Sequence, residues 1–228
     1  APQAENLQNI EAGIKANTSK YSYNVNFYYM NYNNQLVLTG QLNDVGAYVR
    51  DNVANSYRAG IEIDGAYKIS PKFTLGGNLA ISRNKIAEFT EYIDDYDEGI
   101  QQVNSYDKTD ISFSPAVIGT ATALVTPFKN AELAIIGKYV GKQFLDNTSS
   151  ADRSLAAFYT QDLRFRYTLK GKVLDELGLV LQVNNVFNKL YEPNGYTFSY
   201  IYDKTLFTVN FVYPLAGINW MAGVNFRL

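Results

Sequence analysis

The chain contains no cysteine and no histidine. That excludes disulfides, thiolate or imidazole metal sites, Cys or Ser–His nucleophiles and histidine acid–base chemistry. Charge is sparse: 18% of residues are Asp, Glu, Lys or Arg, against roughly 25% in an average domain. The formal net charge is −2, so there is no basic footprint for nucleic acid. No apolar run approaches the ~18 residues of a membrane-spanning helix. There is neither an initiator Met nor a signal peptide, since the sequence begins Ala1-Pro-Gln3. It is expected to be a mature protein or a piece of a longer one.

What is present is aromatic and periodic: 19 Tyr and 13 Phe in 228 residues. From Ile218 the even positions read Ile218, Trp220, Ala222, Val224, Phe226 and Leu228, against Asn219, Asn225 and Arg227. Alternate side chains of a strand face opposite ways, so this is a strand with one apolar and one mostly polar face. Its length suits a tilted bilayer crossing of about 9–11 residues.

The same design recurs upstream. Ile10, Ala12, Ile14 and Ala16 alternate with Glu11 and Lys15; Tyr21, Tyr23, Val25, Phe27 and Tyr29 alternate with Ser22, Asn24 and Asn26. Tyr57 to Ile69 is the clearest case, with Ile61, Ile63, Tyr67 and Ile69 opposed to Arg58, Glu62, Asp64 and Lys68. Further strands are expected at Phe73–Ile81, Pro115–Val125, Leu133–Tyr139, Tyr159–Lys170 and Leu179–Val183. Tyr196–Tyr202 and Leu206–Tyr213 read as a protruding hairpin turning at Asp203-Lys204. The stretches Asn31–Ser56, Asn84–Asp110 and Gly141–Ser154 read as long, irregular polar connections.

Connections therefore alternate short and long, as in an up-and-down outer-membrane barrel. Aromatics near strand ends match its girdles. Strand alternation alone also fits a soluble all-β binding protein, and a complete small porin-like or adhesin-like barrel stays open. The count is nine strands, or eleven if the hairpin joins the sheet. Bacterial single-chain barrels have even strand numbers, and open edges in lipid need partners. The simplest resolution is an all-β, antiparallel, up-and-down transmembrane barrel, of which residues 1–228 form the C-terminal part.

One segment carries a family likeness. Leu181-Gln-Val-Asn-Asn-Val-Phe-Asn-Lys-Leu-Tyr191, then Asn194-Gly195-Tyr196 and Tyr213-Pro-Leu-Ala-Gly-Ile-Asn219, resembles the C-terminal end of TonB-dependent outer-membrane receptors. In that pattern Val186 replaces the usual Leu, and the chain ends Phe226-Arg-Leu228 rather than on an aromatic. Asn6-Leu7 to Gly13, with Glu11, is similar to an earlier family segment. The resemblance implies a 22-stranded barrel, with about nine strands here. It also implies an N-terminal plug domain and a TonB-contacting segment that this chain does not contain. It implies active import of a siderophore, metal chelate, vitamin, glycan or peptide across the outer membrane, with no enzyme activity and no cofactor. The abundant Asn and Tyr look like the Bacteroidetes branch, where a surface lipoprotein lid is a common partner. The remaining partners implied are the rest of the barrel, the TonB energy complex and outer-membrane lipid.

Candidate ligand contacts lie in the connections and on the polar faces. Asp94, Asp95 and Asp97, with Glu98, have carboxylate spacing suited to a hard cation, although a solvated acidic loop explains them as well. Arg164 and Arg166 face the lumen, where they would touch a plug or cargo, or pair with Glu62 and Asp64 across the wall. Tyr48, Tyr196 and Tyr200 could stack on a sugar or an aromatic ligand.

Overall fold

The computed structural model describes residues 2–42, 48–171 and 175–227, with backbone alone at 40–42 and 48. Fourteen strands follow in chain order: β1 Asn6–Asn17, β2 Tyr21–Leu42, β3 Tyr48–Ser70, β4 Phe73–Asp95, β5 Ile100–Asp110, β6 Val117–Val125, β7 Ala131–Val140, β8 Gln143–Phe144, β9 Ser154–Leu155, β10 Phe158–Leu169, β11 Glu176–Asn184, β12 Asn194–Tyr202, β13 Thr205–Tyr213 and β14 Asn219–Arg227. There is no helix among the described residues.

Nine of these strands form one antiparallel path, β1-β2-β3-β4-β6-β7-β10-β11-β14. They are the nine read from the alternation. Among the described residues β1 pairs only with β2 and β14 only with β11, so the sheet is open at both edges. It is not a self-contained cylinder.

The outward face is apolar because every strand puts its alternate apolar residues there. Phe27, Ile61 and Ile81 form one continuous row across β2, β3 and β4. Ile10, Phe27, Trp220, Val224 and Phe226 are each more than half exposed, which is costly in water and favourable in hydrocarbon. At the short-turn end Tyr21 stacks on Tyr23 at 6.2 Å, and the Lys20 ammonium lies 5.4 Å from the Tyr67 ring centroid. That is the amphipathic chemistry of a membrane interface.

At the other end the sheet departs from the expectation of loops. β2, β3 and β4 run on for 22, 23 and 23 residues, twice what a bilayer needs. Asn31–Ser56 is therefore not irregular: it continues β2 and β3, apart from residues 43–47, which lie outside the described residues. Asn84–Asp110 is likewise a hairpin of upper β4 with β5.

The alternation fails there because four strands exchange faces at one level. Asn34 takes a left-handed φ of 57° and Lys108 one of 54°. Pairing skips from Asn33↔Asn55 to Gln35↔Val53 in β2–β3, and from Ile86↔Thr109 to Glu88↔Asp107 in β4–β5. Below this joint the even positions Ser56, Asn84 and Ile86 are buried; above it the odd positions Val37, Val53, Phe89, Glu91, Ile93 and Asp95 are. A left-handed residue in a strand kinks the ladder and turns the next side chain to the other side. Around the joint Val37, Val53, Ile86, Phe89 and Ile111 form a small core, with Tyr106 packed on it.

The motif after β11 has a structural role. Asn185 and Asn188 both have φ of 50°, a region asparagine tolerates. The Asn185 amide donates to the carbonyls of Lys189 and Ala216 and accepts from the Lys189 N–H, while Asn188 Oδ1 accepts from the Ile218 N–H. A Cβ on Gly217 would lie 2.3 Å from Asn188 Oδ1, so a larger residue there would push the Asn188 side chain out of this bond. The pair of asparagines thus ties the exit of β11 to the entry of β14.

Candidate functional site

The β12–β13 hairpin leaves the main sheet and folds over the end of β4. Its turn residues Asp203 and Lys204 have φ of 48° and 58°, the two-residue geometry that matches strand twist. Tyr200 and Ile201 of β12 pair in parallel with Asp94 and Asp95 of β4. The Tyr96 N–H donates to the Ile201 carbonyl at 3.0 Å. The Asp97 carboxylate caps the hairpin turn, accepting from the Asp203 and Lys204 N–H groups at 2.9 and 2.6 Å.

Beneath this bridge lies the β7–β10 connection, read from sequence as a polar loop. It carries the small β8–β9 ladder and is largely buried. Asn147, fully buried, donates to the Leu38 carbonyl at 2.6 Å and accepts from the Ser112 N–H at 2.8 Å. Gln143 donates to the Pro193 carbonyl, and Asn210 to that of Asp152.

The connection delivers Arg153 to a buried ion cluster. Its guanidinium Nη1 donates to Glu91 on β4 and to Asp146 Oδ2, the latter at 2.9 Å. Tyr106 Oη donates to the other Glu91 oxygen at 2.8 Å. Asp146 Oδ1 accepts from the Thr148 N–H and hydroxyl. Burial alone would lower the Arg153 pKa, but the hydrogen bonds and charges of Asp146 and Glu91 outweigh it and raise it. Burial, then the bond and charge of Glu91, push the Tyr106 hydroxyl up to about 12.

This gives an alkaline prediction. A pKa raised from 10 to about 12 means that the folded state holds the proton more tightly than the unfolded one. The stabilisation is complete below pH 10 and is lost as pH rises towards 12. Hydrogen exchange of the outer layer should therefore accelerate over that window, and Tyr106→Phe should remove the step.

Above the cluster is a cavity of about 220 Å³, lined by Thr39, Glu91, Tyr92, Asp94, Tyr96, Asp146, Arg153, Thr197, Phe198, Ser199 and Tyr200. Asp94 Oδ1 accepts from Gln101 at 2.7 Å. The Thr197 hydroxyl is buried with no partner.

Of the residues singled out from sequence, Asp94 and Tyr200 meet at this cavity. Tyr196 stacks on Phe211 at 4.9 Å within the hairpin. Asp95 turns inward and accepts from the Asp97 and Glu98 N–H groups and from Gln102. Among the described residues no group of three or more His, Cys, Asp or Glu is placed to hold a metal ion. Arg164 and Arg166 lie on β10, away from the cavity. Neither forms an ion pair with Glu62 or Asp64, and the Arg164 Nε is buried without a partner. Tyr48 opens β3, and its side chain lies outside the described residues. Sequence reasoning missed Glu91, Asp146, Arg153 and Thr197. Arg153 and Glu91 are 62 positions apart, and no spacing rule links them.

Comparison with known proteins gives the same architecture. The family model described as "TonB dependent receptor-like, beta-barrel" matches residues 3–186. The siderophore receptor PiuA from Acinetobacter baumannii superposes with a TM-score of 0.72 at 16% identity, covering 96% of this chain and 28% of that one. The copper transporter OprC gives 0.70 at 16% identity, covering 99% and 32%. The ferric-catecholate import receptor Fiu from E. coli K12 gives 0.65 at 15% identity, covering 97% and 27%. No curated protein sequence is a significant match. The chain thus spans about a third or less of the length of these structures. Family members are outer-membrane receptors and transporters rather than enzymes. An open nine-stranded sheet with a lipid-facing flank, matched over most of its length by the family model, belongs to the TonB-dependent receptor β-barrel family of the outer membrane.

Proposed function

We propose that this chain is the C-terminal nine strands of a TonB-dependent active transporter. The parent protein supplies the remaining strands, a plug domain and the segment that contacts the TonB energy complex. The observation that carries this is the sheet's two unpaired edges in a chain of this family. Unsatisfied strand edges are not tolerated in hydrocarbon, so further strands of the same barrel must cover them. The cargo is a large or scarce nutrient: a siderophore, metal chelate, vitamin, glycan or peptide. PiuA is by name a siderophore receptor, Fiu a ferric-catecholate import receptor and OprC a copper transporter.

The outer cavity is read as part of the cargo's entry route. Three carboxylates, Glu91, Asp94 and Asp146, face one guanidinium, Arg153, so the lining carries a net charge of −2. Aromatic rings Tyr92, Tyr96, Phe198 and Tyr200 complete it. Carboxylate acceptors beside π-faces suit a neutral polyol or a cationic group better than an anionic chelate. A surface lipoprotein lid is a further expected partner; the abundant Asn and Tyr and the style of the C-terminal motif support it.

The test is uptake by cells that carry the intact gene. Import should stop when the gene is deleted or the proton-motive force is collapsed. Passive, energy-independent entry would refute the reading and favour a porin.

A further inference from the structure

The cavity over the Arg153 cluster holds more acceptors than the protein itself uses. Glu91 and Asp146 share a single guanidinium, and Asp94 adds a third carboxylate to the lining. Among the described residues Asp94 takes one side-chain hydrogen bond, from Gln101 to Oδ1, so its other oxygen is open. The Thr197 hydroxyl is orphaned: the residue is 5% exposed, lines the cavity and has no partner for Oγ1. A buried hydroxyl left unpaired is destabilising, and so is uncompensated negative charge in a partly enclosed site. Both are relieved by a ligand that brings N–H donors and positive charge.

Neighbouring donors do not fill that need. Thr39 donates to the Val49 carbonyl at 3.1 Å, Ser199 is bonded to Thr208 at 2.9 Å, and Arg153 is held by its two carboxylates. A bare metal ion does not fit either, since no three carboxylates converge on one point among the described residues. The aromatic lining suits a larger cation. Tyr96 and Tyr200 have ring centroids 6.0 Å apart and planes tilted by 57°, a corner rather than a stack. Phe198 stands 6.2 Å from Tyr200. Rings beside carboxylates attract a cation through their negative faces, and ammonium groups are recognised in aromatic cages by this means. At about 220 Å³ the cavity is smaller than the roughly 300–1,000 Å³ of a drug-sized ligand site. It therefore takes one group of a cargo rather than all of it.

We propose that this cavity binds a primary ammonium group of the cargo. Asp94 and the Thr197 hydroxyl accept from its N–H donors, and Tyr96 and Tyr200 flank its charge. Glu91 and Asp146 stay with Arg153 and add negative potential from below. The proposal rests on reading the cavity as part of the cargo's entry route, and it narrows the ligand there from polyol or cation to an amine.

The test is ligand-observed NMR on the intact receptor in neutral detergent. The probes are n-butylammonium, n-butanol as its uncharged counterpart, glucose as a polyol, and calcium. Wild type should bind butylammonium at least about tenfold more tightly than butanol or glucose. Asp94→Asn should weaken butylammonium binding by about tenfold or more. Thr197→Val should weaken it by about fivefold, and Tyr200→Leu by about fivefold. Thr197→Val keeps the shape of the side chain and removes an unpaired hydroxyl, so hydrogen exchange of β12 should not rise in it. Glu62→Gln, on the inward face of β3, should leave binding unchanged. Heat-modifiable migration on gels reports that each variant is folded. Equal affinity for butylammonium and butanol overturns the proposal, as does tighter binding of glucose or loss of the butylammonium signal to equimolar calcium. Ammonium binding by a receptor that supports no energy-dependent uptake would uphold the site and refute the transporter reading. Energy-dependent uptake by a receptor with no preference for the ammonium would do the reverse.

Discussion

Replacing Arg153 with methionine is expected to release the outer layer from the barrel wall while the transmembrane strands stay folded. The guanidinium is 8% exposed and its two carboxylate partners 7% and 5%. Removing it leaves Glu91 and Asp146 buried without a cation, a loss of about 3–5 kcal/mol. The damage should be local, because the triad joins upper β4 to the β7–β10 connection and touches nothing in lipid. Hydrogen exchange across residues 143–155 should rise by two orders of magnitude or more, on the order expected for that energy. Adding Glu91→Gln and Asp146→Asn to Arg153→Met should restore most of the protection, since the stranded charges are gone. Unchanged exchange in the single variant would show that the triad does not hold the layer.

The second large effect tests which flank meets lipid. Ile63→Arg, at mid-height on the outward row of β3, should destabilise insertion by about 2–4 kcal/mol. Glu62→Gln, its neighbour on the inward face, should change stability by less than about 1 kcal/mol. Folding into lipid vesicles, followed by heat-modifiable migration on gels, reads both. If Glu62→Gln is the harmful change and Ile63→Arg is tolerated, the two faces have been assigned the wrong way round.

The nine spanning strands were legible because lipid and water impose opposite demands on alternate residues. Tyr57 to Ile69 shows that demand with hardly a break, and the Asp203-Lys204 hairpin was visible for the same reason. The upper halves of β2 to β5 were not legible, and the cause is local. Asn34 and Lys108 take left-handed conformations, so the alternation restarts in the opposite phase, and each half looked too short and too polar to be a strand. The β7–β10 connection was misread for another reason. Its buried residues Asp146, Asn147 and Arg153 are polar, and they are buried by hydrogen bonds to distant strands rather than by any apolar pattern. The meeting of Asp94 with Tyr200 depended on β12 folding over β4, a non-local pairing with no signature in either segment.

The change of phase in the four strands also separates two kinds of selection. Below it, a substitution answers to a solvent of fixed thickness and polarity, and little variety is permitted. Above it, the same strands answer only to one another and to whatever arrives from outside the cell. A lineage can rebuild that upper storey without renegotiating its place in the membrane.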